Sequence, residues 1–431
     1  MTAQASPPEP SRESGRQHDV LIVGGGLVGA SLAIALDRIG LDVGLIEATP
    51  AGALPAVFDQ RNLSFAEATV NALTALGVMQ KLRMPAGPIE RIHVSRRGDF
   101  GRSVLRASDH GRSEFGRVVV ARDFGEALEA RLSELAGLVR YRPMKFLGLA
   151  DAADGLRAIR VGRDGGDGGD ERVLLARLLV GADGARSGVR ESLGIATEEH
   201  DYQQTLFVTR LRAEHGPDGT AYERLDEHGP TALLPRGDRH YGLVHAVSRS
   251  DAATVAGLGE AAFLRRAQQA FGWRVGRFLA CGDRSAYPAV RVLAERTTAD
   301  RAVLVGNAAQ TIHPIGAQGF NLGLRDALTL AERIEQAMAD KQDADCGSAQ
   351  LLGSYVASRR QDRDETLRFS DGLARLSANP SGLLGPLRSL GLVALGRSSS
   401  LQASVVGGAL GYRGEVPALC RQPHPASGVG A

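Results

Sequence analysis

The segment that most constrains the fold lies near the start of the chain. Asp19-Val-Leu-Ile-Val23 is an apolar run of strand type, Gly24-Gly-Gly-Leu-Val-Gly29 follows it directly, and residues 30–39 carry apolar side chains at helical spacing. Gly40 stops the helix, and Val43-Gly-Leu-Ile46 supplies a second strand. In Gly24-x-Gly26-x-x-Gly29 the first glycine permits the tight turn, the second lets a pyrophosphate approach the backbone, and the third lets helix pack on strand. The phosphate then meets the N–H groups of the helix N-terminus, and Glu47, ending the second strand, can accept from ribose hydroxyls. A bare GxGxxG says little; a strand before it, a helix after it and an acid at the next strand end make it a dinucleotide site.

Composition narrows the setting. With 43% hydrophobic and 23% charged residues the 431-residue chain can bury large cores. Its net charge of +2 is spread without a basic block, which gives no reason to expect nucleic acid as a partner. Cys281, Cys346 and Cys420 are far apart, fit neither a zinc site nor a disulfide framework, and read as reduced bystanders of a cytoplasmic protein; no metal is expected. The longest apolar stretches, Val20 to Leu36 and Ala302 to Leu324, are broken by glycines or by Asn307, Gln310, His313, Pro314, Gln318 and Asn321, so no transmembrane segment is expected. Residues 1–18, rich in Pro, Ser and charge, read as a disordered tail rather than a signal peptide.

Further along, helices are expected over 65–82 and 124–138, and a hairpin from Ile89-to-Val94 and Ser103-to-Leu105. Two strand-like runs flank Gly162-Arg-Asp-Gly-Gly-Asp-Gly-Gly-Asp170, a tract that reads as a flexible turn or, less simply, as a single calcium-type repeat. Residues 204–247 are mostly strand-like, the chain is helical from about 327 to 376, and the remainder from Asn379 is rich in Gly, Ser and Leu.

Two later segments carry chemistry. Leu178-Leu-Val-Gly-Ala-Asp-Gly-Ala-Arg-Ser187 ends a buried strand in Asp183-Gly184, for which a plain type I′ turn is the lesser alternative. In Arg301-Ala-Val-Leu-Val-Gly-Asn-Ala-Ala-Gln-Thr-Ile-His-Pro-Ile-Gly-Ala-Gln-Gly-Phe-Asn-Leu-Gly-Leu-Arg-Asp326 a strand delivers Asn307, and a glycine-bearing loop and helix N-terminus follow. Such a site suits an anion like reduced flavin, whose charge gathers at the pyrimidine end of the ring.

Both segments resemble the class A flavin aromatic hydroxylases, the family typified by para-hydroxybenzoate hydroxylase. The wording Gly306-Asn-Ala-Ala-Gln-Thr-Ile-His-Pro314 is similar to the 2-polyprenyl-6-methoxyphenol hydroxylase branch of ubiquinone biosynthesis. Gln318-Gly-Phe-Asn-Leu-Gly323, His228-Gly-Pro-Thr-Ala-Leu-Leu-Pro235, Ala270-Phe-Gly-Trp-Arg-Val-Gly276, Arg284-Ser-Ala-Tyr-Pro288 and Arg359-Arg-Gln-Asp-Arg-Asp364 extend the likeness from about Asp19 to Tyr412. The chain departs from it at Gly316-Ala-Gln-Gly319, where relatives carry Ala-Gly-Gln-Gly, and at Val120-Ala121, where many carry Glu-Asn; Arg122 is the nearest substitute for those polar contacts.

The resemblance implies an α/β fold: a Rossmann-type FAD-binding domain from residues 19–88, 116–198 and 286–345, a β-rich substrate domain from 89–115 and 199–285, and a C-terminal helical segment and tail over 346–431. It implies FAD held by Gly24, Gly26, Gly29, Glu47, Arg61, Arg122, Asp183, Gly184, Asn307, Gly316, Gln318, Gly319 and Asn321. Arg61 reaches the cofactor from a mobile loop, or is a surface ion-pair partner. His313, Pro314 and His228 are either structural or face flavin and substrate. The implied activity is hydroxylation of a polyprenylated methoxyphenol, with NAD(P)H as reductant, O2 as co-substrate and a flavin C4a-hydroperoxide as oxygen donor. The alternatives are a sister hydroxylase for another ring position or phenol, and a non-catalytic flavin-binding member of a ubiquinone-synthesis assembly. A polyprenyl substrate further implies peripheral contact with the membrane, at its inner face. Leu383-Leu-Gly-Pro-Leu-Arg-Ser-Leu-Gly-Leu-Val-Ala-Leu-Gly-Arg397, with Arg388 and Arg397, is either the docking surface or a helix packed on the core.

Overall fold

A computed structural model describes residues 16–151, 155–163, 171–340, 344–379 and 384–421. Of the expected tail, 1–15 lie outside the described residues. Gln17 and His18 already belong to the first strand, which starts earlier than expected because His18 is an anchor: its ring nitrogens meet Asp42 at 2.8 Å and the Tyr141 hydroxyl at 2.7 Å.

Five parallel strands form the centre of the first sheet, in the order Ala302–Leu304, Arg172–Gly181, Gln17–Val23, Val43–Ile46 and Val139–Tyr141. The first strand is apolar on both faces because both are covered. Val20 and Ile22 lie under the helix side of the core, with Leu32, Leu36, Phe124 and Leu328. Leu21 and Val23 face an antiparallel pair, Lys145–Ala150 with Arg157–Gly162, through Ile159 and Val161. Of the glycine-rich tract between Arg157–Gly162 and Arg172–Gly181, residues 164–170 lie outside the described residues; the strands on either side pair antiparallel.

The second sheet is antiparallel except where Thr220–Leu225 runs parallel to Arg91–Arg96. Thr197–Ala213 pairs with both Tyr241–Ser248 and Ser285–Ala294, so this sheet continues past the boundary expected at 285/286, and it returns at Gln310–Thr311. One face carries Phe207, Leu243 and the helix Glu260–Phe271, which buries Phe263 and Phe271. The expected hairpin is Arg91–Arg96 with Arg102–Arg106. It starts later than the apolar pattern suggested because Gly87–Ile89 pairs with Gly116–Val120, which also pairs with Asn62–Ala66.

The helix expected over 65–82 is Glu67–Ala75, followed by a turn of 3₁₀ helix at Met79–Lys81; the one expected over 124–138 is Ala121–Leu132. The long helices Gln318–Asp340 and Ala349–Ala378 pack together and are tied by buried ion pairs. Asp362 accepts from Arg325 at 2.7 Å and from Arg359 at 2.6 Å, and Arg359 also reaches Asp326 at 2.7 Å. In the Gly/Ser/Leu-rich stretch beyond 379 the described residues form the helices Leu384–Arg397 and Ser399–Ala409 and a short one at Ala418–Arg421. Among the described residues no helix is long and apolar enough to cross a membrane.

Candidate functional site

The glycine turn is built as its spacing requires. Gly24 has φ +105°, and a Cβ there would sit 2.5 Å from the carbonyl oxygen of Ala182; one at Gly29 would sit 2.0 Å from that of Gly24. The helix Leu27–Arg38 starts at Gly26 with no side-chain cap, which leaves its first N–H groups directed at the space in front of the turn. Glu47 lies beside this turn, its Oε2 accepting from Gly25 N at 2.8 Å and its Oε1 from Thr49 N at 2.7 Å. Two carboxylate oxygens offer about four lone-pair sites, so capacity remains for ribose hydroxyls.

From this turn a cavity of about 680 Å³ runs between the two sheets. Gly24, Gly26, Glu47, Arg61, Asp183, Gly184, Asn307, Pro314, Gly316 and Gly319 all line it, so most residues named from the sequence meet on one surface. Asn307 sits in a 3₁₀ turn, Gly306–Ala308, just past the strand Ala302–Leu304, with its side chain exposed to the cavity. The next loop holds two left-handed residues in succession, Gly316 at φ +70° and Ala317 at φ +52°, and Ala317 N closes back on Pro314 O at 2.8 Å. Holding a non-glycine residue there costs conformational energy, a pattern that clusters at ligand sites.

Other expected residues serve differently. The Asn321 amide is fully used: Oδ1 accepts from Ala66 N and the Thr69 hydroxyl at 2.9 and 2.8 Å, and Nδ2 donates to Ser64 O and Ala317 O at 3.0 and 2.8 Å. It clamps two cavity loops from behind and is not itself part of the lining. Gln318 is buried away from the cavity and donates to Gly316 O at 3.3 Å. Arg122 is an exposed side chain 3.6 Å from Glu126 and is not part of the lining. His313 is buried; its Nδ1 accepts from Ile315 N and its Nε2 meets Gln204 Oε1, both at 3.1 Å. Burial lowers its pKa to about 4, so it is a neutral structural residue shaping the Pro314 turn. His228 is exposed on a turn beside Glu227. The Asp183 carboxylate is turned into its own loop, accepting from the Ser187 hydroxyl at 2.5 Å and from Val189 N at 3.1 Å.

Three groups escaped the sequence reading. Arg190 donates to Ala308 O at 2.9 Å and to Ala185 O at 2.8 Å, locking the Asp183 loop to the Asn307 turn. Asp59 takes Arg61 in a two-point ion pair, Nε to Oδ1 at 2.9 Å and Nη2 to Oδ2 at 2.7 Å, and also accepts from the Tyr287 hydroxyl. Burial works against the Asp59 charge, but these hydrogen bonds outweigh it and hold its pKa below the usual value. The side of the cavity made by the second sheet is apolar, with Leu206, Val208, Ala232, Leu234 and Val244, and carries one carboxylate, Glu223.

At the C-terminal end, Val406 and Leu410 pack against Leu105 and Ala221, so the last helices brace the sheet that lines one side of the chamber. Arg388, offered by the sequence for lipid head groups, is instead buried in an ion pair with Asp99 at 3.3 Å. Leu387 and Leu390 on the same helix are 64% and 56% exposed.

Residues 17–370 match the family model described as FAD binding domain. The chain is 34% identical over 397 residues to Ubiquinone hydroxylase UbiL of Rhodospirillum rubrum, covering 91% of this chain and 89% of that one. It is 30% identical over 405 residues to 3-demethoxyubiquinol 3-hydroxylase of Escherichia coli, covering 91% and 98%. Among solved structures, p-nitrophenol 4-monooxygenase PnpA from Pseudomonas putida superposes with a TM-score of 0.75 at 17% identity, over 93% of this chain and 99% of that one, a likeness of fold.

Proposed function

From the premise that this chain belongs to the FAD binding domain family, we propose that it is an FAD-dependent monooxygenase that hydroxylates the ring of a polyprenylated methoxyphenol in ubiquinone biosynthesis. The observation that carries this reading is the single cavity that joins the glycine turn to an apolar sheet face. One end offers a pyrophosphate cradle and the other a dry chamber for a ring with a hydrocarbon tail.

The cradle fits FAD: backbone packed against Gly24 and Gly29 holds the turn tight, Gly26 leaves open space in front of it, and the uncapped helix N-terminus behind it favours a diphosphate. We assign the pyrophosphate to the N–H groups at Gly26 and Leu27, the ribose to Glu47, and the flavin side to Arg61, Asn307, Gly316 and Gly319, with Asp183 and Gly184 alongside. Bound FAD, reduced by NAD(P)H, activates O2 and delivers one oxygen atom to the ring. The protein's own part is to hold the ring over the Pro314–Gly319 loop, to exclude water with Leu206, Val208, Leu234 and Val244, and to keep the loop geometry through Asn321, His313 and Arg190.

A polyprenyl substrate resides in lipid, at about 0.8 kcal/mol per buried CH2, so the proposal includes a peripheral membrane contact. The exposed Leu387 and Leu390 on a helix next to the chamber wall favour that side. Quinone profiling of a deletion strain tests the function. Accumulation of a polyprenyl phenol lacking one ring hydroxyl is expected, and the missing hydroxyl names the carbon; an unchanged quinone pool would overturn it.

A further inference from the structure

Glu223 is out of place in the wall where it stands. Its strand, Thr220–Leu225, alternates faces: Tyr222 stacks with His93 on the far side, at a ring distance of 5.6 Å, while Ala221, Glu223 and Leu225 share the near side. Its direct neighbours across the ladder are Ala232 on one strand and Val94 on the other. Ala221 packs into the cluster of Leu105, Val406 and Leu410, and Leu225 into that of Ile315. Glu223 therefore lies between the chamber wall and the loop that carries Pro314 and Gly316, and it lines the cavity with them.

No hydrogen bond or ion pair to another side chain or to backbone is formed by this carboxylate among the described residues. The charged groups around it are directed elsewhere. Tyr222 and His93 stack on the opposite face, where Arg224 and Arg274 bear on His93, and Arg61 is committed to Asp59. Glu47 and Asp183, the other carboxylates of the cavity, hold backbone N–H groups. Val94, Ala232 and Ile315, on the elements packed next to it, carry no charge. Holding an unpaired, half-buried carboxylate in an otherwise apolar wall is costly unless a ligand completes it.

We infer that Glu223 is a catalytic residue: its carboxylate accepts the hydrogen bond of the substrate's ring hydroxyl and takes that proton as the ring is attacked. This rests on the proposed function for the nature of the ring. The phenol O–H bond breaks, a carboxyl O–H bond forms on Glu223, and the freed electron pair moves into the ring as a ring carbon bonds to one oxygen atom derived from O2; the O–O bond breaks, and the second atom leaves as water with the two electrons that NAD(P)H supplies. The ring then loses the hydrogen of that carbon to solvent, and Glu223 returns its proton to the phenol oxygen. The carboxylate ends as it began, and O2 with NAD(P)H supplies the oxidation. Desolvation alone raises the Glu223 pKa to about 7, strengthening it as a base while leaving much of it ionised at neutral pH.

The test uses the FAD-loaded protein with a farnesylated 2-methoxyphenol and its O-methyl ether, binding being read from quenching of flavin fluorescence. Above pH 7 the wild type is expected to prefer the phenol by about ten-fold, because only the phenol can donate to a carboxylate. The preference falls as Glu223 is protonated, below pH 7. Glu223→Leu, which suits an apolar strand, should retain FAD affinity and lose the preference. Glu223→Gln should bind the phenol but hydroxylate it about 10²-fold or more slowly, without the ionisation near pH 7, and Glu223→Asp should recover part of the rate. A preference that survives in Glu223→Leu, or wild-type turnover by Glu223→Gln, overturns the inference. A Glu223-dependent preference without any hydroxylated product from the wild type would overturn the proposed function and leave this carboxylate as a phenol-binding group.

Discussion

The guanidinium of Arg61 lies over the ring of Tyr287, its central carbon 4.3 Å from the ring centroid, and both side chains bond to the same carboxylate, Asp59. The arginine is thus held at the cavity edge by a cation–π contact and a two-point ion pair, a fixed placement for a group meant to meet a cofactor. Arg61→Ala is expected to weaken FAD binding by about ten-fold, the cost of one charge-assisted hydrogen bond. Tyr287→Phe keeps the ring beneath the guanidinium and should change FAD affinity by about two-fold or less. Fluorescence titration with FAD separates the two. Equal losses would mean that Asp59, rather than the stacked cation, positions the cofactor.

The glycines of the turn should fail in different ways. Gly26 has φ −74°, and its nearest neighbour would be Val57 at 3.6 Å, so Gly26→Val fits the chain and obstructs only the approaching pyrophosphate. It should retain a near wild-type melting temperature without FAD and lose FAD affinity by at least about ten-fold. At Gly29 an added methyl meets the Gly24 carbonyl oxygen at 2.0 Å, so Gly29→Ala should lower the melting temperature of the cofactor-free protein itself. Thermal unfolding with and without FAD distinguishes them; full FAD affinity in Gly26→Val would refute the pyrophosphate assignment.

Stability should fall in mild acid because of two buried histidines. Burial lowers both His313 and His245 to a pKa of about 4, whereas the unfolded chain protonates near the ordinary value of 6.5. Between those limits the unfolded state binds more protons, so the stabilisation from keeping the rings neutral is complete above pH 6.5 and is lost as pH falls toward 4. Two such groups contribute a slope approaching about 2.7 kcal/mol per pH unit, and Glu223, protonated near pH 7 in the folded chain but near 4.5 in the unfolded one, opposes it by about 1.4. Urea unfolding across pH 4–7 measures the difference. His313→Gln should remove about 1.4 kcal/mol per pH unit from the slope, and an unchanged slope would show that other groups set it.

The membrane contact is tested by flotation on liposomes containing anionic lipid. Leu387→Asp with Leu390→Asp alters two exposed side chains and should reduce the floated fraction several-fold at unchanged FAD affinity. Arg388→Ala should act mainly on stability, since that side chain is buried against Asp99. If the double variant floats as well as the wild type, the docking surface lies elsewhere.

What the sequence revealed follows from how local each signal is. The βαβ turn was legible because its glycines, its strand and Glu47 are fixed by backbone geometry within thirty-odd residues of one another. Asn307, Pro314 and Gly316 were legible as a motif and do line the cavity. Asn321 and Gln318 belong to the same motif but turn inward, and nothing in a string of letters distinguishes an amide that meets a ligand from one that ties down a loop. Arg388 looked like a free cation because its partner, Asp99, is distant in sequence. Glu223 was hidden most completely. Between Tyr222 and Arg224 nothing marks it out, and only the pairing of its strand with the two beside it turns its side chain to the cavity.

Those last helices also set an order of assembly. The residues that line the cavity, from Gly24 to Phe320, all precede the segment that carries Val406 and Leu410 and braces the sheet behind one side of it. A chain leaving the ribosome from its N-terminus can therefore present every lining residue of the cavity before the helices that brace it have been made. Cofactor uptake would then not have to wait for the C-terminal segment, whose packing against Leu105 and Ala221 would stiffen a chamber already formed.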